Sequence, residues 1–294
     1  DSTRLVFENG YPSWITPREN QDAIDWYFFG YGHDYKRLLR DYIKVAGLIP
    51  LPPRFVFGAW WSRYWAYSDQ ELKDLVGQCR EHDVPLDVLV IDMDWHLDGW
   101  TGYTWNPKYF SDPRGFLKWV HEQGLRATLN LHPADGVGKH EKVFPEVCQA
   151  MGLDPEKTER VPFDCADPDY MDAYFNLVHR PLEKQGVDFW WIDWQQGAQS
   201  KMPGLDPLGW LNHLHWWDLQ RRAEETGRRP ILFSRWGGLG GHRYQIGFSG
   251  DTYSNWSSLA FQPFFTSTAG NVGYGYWSHD IGGHMSGVVE PEVY

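Results

Sequence analysis

Seven short apolar runs recur along this chain, separated by stretches of helical spacing, and each run ends in polar residues. The clearest is Phe189-Trp190-Trp191-Ile192, followed at once by Asp193. An unbroken apolar run suits a strand buried on both faces, which is the state of parallel strands covered by helices. Strands that alternate with helices either close into a (β/α)8 barrel or lie in an open, doubly wound sheet. Both architectures place their chemistry at the carboxyl ends of the strands. The residues that follow each run are therefore the ones to read.

The runs fall at residues 55–60, 86–91, 126–131, 189–192, 230–233, 244–248 and 272–277. Helices are predicted between them, over 68–82, 112–123, 168–185, 206–225 and 256–268. Ser68 with Glu71 three residues on is a capping-box pattern. Asp112-Pro113 opens the next helix, and Gly124 and Gly186 mark helix ends. A doubly wound sheet that binds a dinucleotide carries a glycine-rich turn after its first strand. Here the first run leads into Trp60-Trp61-Ser62-Arg63-Tyr64-Trp65. Gly237-Gly238-Leu239-Gly240-Gly241 follows the fifth run and lacks a phosphate-binding Lys, so it reads as a flexible loop. The expectation is an α/β fold, a (β/α)8 barrel over 52–294 lacking its last strand, cut from a longer polypeptide. Residues 1–51 read as the end of an N-terminal domain and a linker. Asn9-Gly10 and Pro12 mark turns, 25–29 a strand and 34–45 a helix, and Pro50, Pro52 and Pro53 stiffen the entry to the barrel.

Composition narrows the partners. A formal charge of −12 argues against nucleic acid, which needs a basic face. Aromatic residues make up 17% of the chain, with 18 Trp, enough to fill a core and also to line a pocket that stacks the flat faces of sugars. Cys79, Cys148 and Cys165 are too scattered for a disulfide framework or a zinc site. No apolar run is long enough to span a bilayer, and a chain that begins at Asp1 fits a cytoplasmic or an exported protein equally.

The strand ends gather Asp92, Asp94, His96, His132, Asp193, Arg235, Asp251 and Asp280. Two carboxylates across a pocket suit glycoside cleavage, one as nucleophile or base and the other as acid; a gap of about 5–5.5 Å implies retention and a wider one inversion. A nearby Arg can hold a carboxylate ionised or bind a sugar hydroxyl. Blander readings stand beside this one. Asp193 is also suited to a helix cap, and His132 and His279 to hydrogen-bonded structural roles. Trp190 and Trp191 alternate in direction, so at most one lines a pocket. Asp92, Asp94 and His96 share a face if they continue a strand and would then hold a metal, though no Cys or paired His completes the set. A carbohydrate-binding protein that lost catalysis is a further alternative, opposed by the presence of both Asp193 and Asp251.

Trp191-Ile192-Asp193-Trp194-Gln195-Gln196 resembles the Trp-Ile-Asp-Met-Asn-Glu signature of glycoside hydrolase family 31. Ser234-Arg235 upstream of Gly250-Asp251, Ile91-Asp92-Met93-Asp94-Trp95, and His279-Asp280-Ile281-Gly282-Gly283 are similar to three further motifs of that family, in its order. The resemblance runs from about Pro52 to the end. It implies a (β/α)8 barrel behind an N-terminal β-sandwich, and in most members a retaining α-glycosidase that needs no cofactor or metal. It makes Asp193 the nucleophile and Asp251 the acid/base, with Asp92 and Asp280 as sugar contacts; Trp191, Arg235, Phe248 and His132 complete the expected substrate-binding set. The chain departs from the family at Gln195-Gln196, Phe248 and Trp95-His96, positions beside the sugar. The expected partner is an oligosaccharide or glycoside, an α-glucoside first, then an α-galactoside or N-acetyl-α-galactosaminide.

Overall fold

The computed structural model describes residues 3–8, 11–17, 26–97, 99–193, 200–202, 204–235, 237–244, 246–285 and 290–293. They divide into two compact units, one of Asp1–Pro17 with Arg54–Trp210 and one of Arg18–Pro53 with Leu211–Tyr294. An antiparallel hairpin of β1 (Thr3–Glu8) and β2 (Tyr11–Pro17) and a helix, α1 (Tyr35–Ala46), precede the strand–helix alternation. The turn expected at Asn9-Gly10 lies outside the described residues. The strand expected at 25–29 does not form. Asp25 is not among the described residues, and Trp26 and Phe28 are 85% and 94% exposed in irregular chain, with no partner strand among the described residues to cover them.

In the first unit, β3 (Trp60–Trp61), β4 (Val88–Ile91), β5 (Arg126–Leu131) and β8 (Phe189–Ile192) pair side by side, all parallel. Every residue of β4 and β8 is buried, as an unbroken apolar run requires. Helix α2 (Asp69–Glu81) begins with the predicted capping box. Ser68 Oγ accepts from the Glu71 amide, and Glu71 Oε2 accepts from the Ser68 amide. Helix α3 (Pro113–Glu122) is capped by Asp112. The long insertion after β5 folds as a small hairpin, β6 (Val137–Gly138) with β7 (Arg160–Val161), holding α4 (Phe144–Ala150) between its strands in sequence.

Two sequence expectations change here. The first run, 55–60, folds as a 3-10 turn over Arg54–Phe57, leaving only Trp60–Trp61 as strand. Asp87 explains this. Its carboxylate accepts the Ala59 amide at 3.0 Å and fills the space a side chain at Gly58 would need. The helix expected over 168–185 is α5 (Pro168–Ala173) and α6 (Arg180–Gln185), joined by a π-helical turn, Tyr174–His179. Pro181 lacks an N–H and crowds the carbonyl four residues before it, which opens the preceding turn.

In the second unit, β9 (Leu232–Arg235) and β11 (Trp277–Ser278) flank β10 (Ile246–Phe248), again all parallel. Its other helices are the later part of α7 (Pro207–Arg221), then α8 (Ala223–Thr226) and α9 (Trp256–Gly270). The last run, expected at 272–277, keeps only its end as strand, because α9 continues to Gly270 and a turn with Gly273 at φ +82° follows. Helix α1 docks in this unit, where His242 Nε2 lies 2.9 Å from the Gly47 carbonyl. No helix among the described residues is long and apolar enough to cross a membrane.

The amino end of the first unit's sheet is fastened by Asp188, whose side chain is 3% exposed. Its Oδ2 accepts the Ala127 amide at 3.0 Å and lies 2.8 Å from His121 Nε2 on α3, with Arg126 Nη1 at 3.8 Å from Oδ1. Asp188→Ala leaves that amide buried without its acceptor. It should lower unfolding stability by about 1–3 kcal/mol in urea melts of the full-length protein. A change below about 0.5 kcal/mol would show that the fastening is dispensable.

Candidate active site at the strand ends

Parallel pairing in register brings successive strand ends to one level. Leu129 of β5 stands opposite Ile91 of β4, and Leu131 opposite Ile192 of β8. Asp92, His132 and Asp193 therefore emerge next to one another. Asp193 is anchored by its amide, which donates to the Leu131 carbonyl at 3.2 Å. Its Oδ2 lies 3.3 Å from His132 Nε2, with both side chains at least nine-tenths buried. The His132 ring leans on Trp100, 4.9 Å between centroids, and the Thr101 hydroxyl donates to the His132 carbonyl.

Asp92 Oδ1 accepts from its neighbour's amide, Met93 N at 2.7 Å, and from Asn130 Nδ2 at 2.6 Å. Burial pushes the Asp92 carboxyl up to about 6; the two hydrogen bonds and His132 pull against that rise, and the charge of Asp193 adds to it. Trp190 faces the helical layer. Its indole N–H donates to Glu183 Oε1 at 3.0 Å, and its ring meets His179 at 4.3 Å. Alternation then sends buried Trp191 to the same side as Asp193.

The metal reading of Asp92, Asp94 and His96 fails on geometry. The strand stops at Ile91, and Met93–Trp95 is a 3-10 turn, so the three do not share a strand face. His96 Nδ1 instead lies 2.7 Å from the Leu97 carbonyl, and burial pushes the imidazole down to about 4.

In the second unit the strand ends converge as well. Arg235 Nη2 donates to Asp251 Oδ1 at 2.8 Å, and its guanidinium lies over the buried Phe248 ring at 5.3 Å. His284 bridges two carboxylates, with Nε2 3.7 Å from Asp251 and Nδ1 3.3 Å from Asp280. The loop that carries Asp280 depends on glycine. Gly283 sits at φ +74°, and a Cβ there would press on the Ser254 amide at 2.8 Å. Asp251, Asp280 and His284 offer ligand atoms within 4.8 Å of one another, but the Arg235 guanidinium already neutralises Asp251. His279 takes the structural role: Nδ1 lies 2.8 Å from Gln262 Oε1 and Nε2 3.2 Å from Thr266 Oγ1, both on α9.

The sequence reading did not single out Asn130, Trp100 or His284. A polar residue inside the apolar run 126–131 was the available signal for Asn130, and spacing of four from Asp280 was the signal for His284. Trp194, Gln195 and Gln196 of the signature lie outside the described residues.

Residues 49–294 match the model of the glycosyl hydrolases family 31 TIM-barrel domain, and the chain belongs to that family. The four parallel strands of the first unit and the three of the second are strands of its (β/α)8 barrel. Among curated proteins it is similar to an α-xylosidase of Saccharolobus solfataricus, 26% identical over 92% of this chain and 39% of that protein. It is also similar to α-glucosidase 2 of Bacillus thermoamyloliquefaciens, 23% identical over 89% of this chain and 37% of that one. The chain thus spans about two-fifths of the length of these relatives. Its fold is similar to that of a family 31 α-xylosidase from Xanthomonas citri, with a TM-score of 0.67 at 21% identity, covering 85% of this chain and 30% of the other.

Asp92 makes a pH prediction. Its folded-state value is raised from 3.8 to about 6, so its stabilising contribution is complete below 3.8 and is lost as pH rises through about 6. At ~1.4 kcal/mol per pH unit, that loss amounts to about 3 kcal/mol. Asp92→Asn has no proton to lose. Between pH 4 and 7 the wild type should therefore fall relative to the variant by about this amount in parallel urea melts. A constant difference across that range would contradict the burial argument.

Proposed function

We propose that the chain is the catalytic barrel of a retaining, exo-acting α-glycosidase that works by double displacement through a glycosyl ester on Asp193. The observation that carries this reading is the buried Asp193 at the end of β8, in register with the family signature and held against His132. Asp193 attacks the anomeric carbon, and Asp251 protonates the departing oxygen. Water then attacks the ester, giving its proton to Asp251, and the sugar leaves with retained configuration. Arg235 donates to Asp251 Oδ1 at 2.8 Å and so orients the carboxylate that takes that proton. Asp92 and Asp280 accept hydrogen bonds from sugar hydroxyls, and Arg235, Trp191 and Phe248 are further contacts to the sugar.

The proposed sugar is an α-linked glucoside. The α-xyloside reading is supported by the α-xylosidases among its relatives, and α-galactoside or N-acetyl-α-galactosaminide remain the readings for an axial 4-hydroxyl or an N-acetyl group. Comparing kcat/KM of the full-length enzyme on the corresponding nitrophenyl glycosides tests this. The glucoside should lead. A preference of more than about tenfold, ~1.4 kcal/mol, for another sugar would overturn the choice. Turnover should be unchanged by a chelator.

The acid role has its own test. Asp251→Ala should lower kcat/KM on alkyl α-glycosides by about 100-fold or more, while activated aryl glycosides, which need little protonation, lose far less. Equal losses on both would contradict the assignment.

A further inference from the structure

His132 is held in place by everything except its own Nδ1. The ring packs on Trp100, and the carbonyl takes the Thr101 hydroxyl, which in turn accepts the Asp135 amide at 3.3 Å. Nδ1 is buried with no hydrogen-bond partner among the described residues. Nε2 is the nitrogen that meets a functional group, Oδ2 of Asp193 at 3.3 Å. Among the described residues, the charged and titratable groups around this imidazole include Asp92 after β4, His96 beyond it and Asp193 after β8.

We propose that His132 is the positioning residue of the nucleophile rather than a sugar contact. Its Nε2–H fixes the rotation of the Asp193 carboxylate through Oδ2, so that a single orientation faces the anomeric carbon. This rests on Asp193 being the nucleophile. In the first step a carboxylate oxygen bonds to the anomeric carbon as the glycosidic bond breaks, and the departing oxygen takes the proton of Asp251. Asp193 becomes a neutral ester, and its attraction for the Nε2–H weakens. In the second step the oxygen of water bonds to the anomeric carbon, its proton passes to Asp251, and the ester bond breaks. Negative charge then returns to the carboxylate that His132 holds. A donor aimed at an atom where charge develops stabilises the transition state, so His132 acts most on the second step.

Three variants of the full-length enzyme separate the N–H from the ring. His132→Gln keeps an amide donor at similar reach. His132→Phe keeps an aromatic ring on Trp100 without a donor. His132→Asn is too short to reach Asp193. The Gln variant should stay within about tenfold of wild-type kcat/KM on the preferred nitrophenyl α-glycoside, while Phe and Asn should lose about 100-fold. The two weak variants should also show a pre-steady-state burst of nitrophenol, as the ester accumulates. Activity kept by Phe and lost by Gln would assign the role to ring packing and overturn the proposal. So would equal losses in all three that follow their melting temperatures, or wild-type activity in all three. A wild-type enzyme inert on every α-glycoside would instead remove the glycosidase reading, and this proposal with it.

Discussion

Parallel pairing in register is the constraint on which the candidate site depends. A parallel ladder aligns strand ends at one level, so the residue that follows each apolar run arrives beside its neighbours. Asp92, His132 and Asp193 are far apart in sequence, yet β4, β5 and β8 deliver them together. The ladder is secured from below by Asp188 and from the sides by capped helices, all remote from the chemistry. A one-residue slip would send each terminal carboxylate to the opposite face.

Collecting carboxylates where water is scarce has an energetic cost, and the neighbouring groups reflect it. An ionised carboxylate out of water needs hydrogen bonds or opposite charge. Asp92 has two donors and still sits well above the ordinary carboxylate range. Asp193 has His132 within 3.3 Å, and Asp251 has Arg235 at 2.8 Å. Each compensating group also suits a step of catalysis, since an imidazole can fix a nucleophile and a guanidinium can steady a base.

Much of the fold was legible because apolar runs and caps act locally. The runs at 189–192 and 126–131 match β8 and β5 to the residue, and the Ser68 capping box forms as read. The misreadings came from contacts distant in sequence. Asp87 reshapes the chain at Gly58, which no local pattern near residue 58 discloses. The metal alternative for Asp92, Asp94 and His96 assumed that a strand continued past Ile91, where the chain instead turns. At the site, motifs pointed to the strand-end carboxylates, and the structure adds the groups that face them. Asn130 and His284 carried only weak local signals, because their importance lies in partners distant in sequence: Asp92, 38 residues from Asn130, and, for His284, Asp251 ahead of α9.

The central claim is that Asp193 carries the sugar between the two steps. A mechanism-based α-glycosyl fluoride with a fluorine on the ring slows the second step and traps the ester. After incubation with the full-length enzyme, mass spectrometry of the digested protein should find the fluorosugar on Asp193, with loss of activity in proportion to labelling. Label on another carboxylate, or an active enzyme that turns over the reagent without forming an ester, would contradict it.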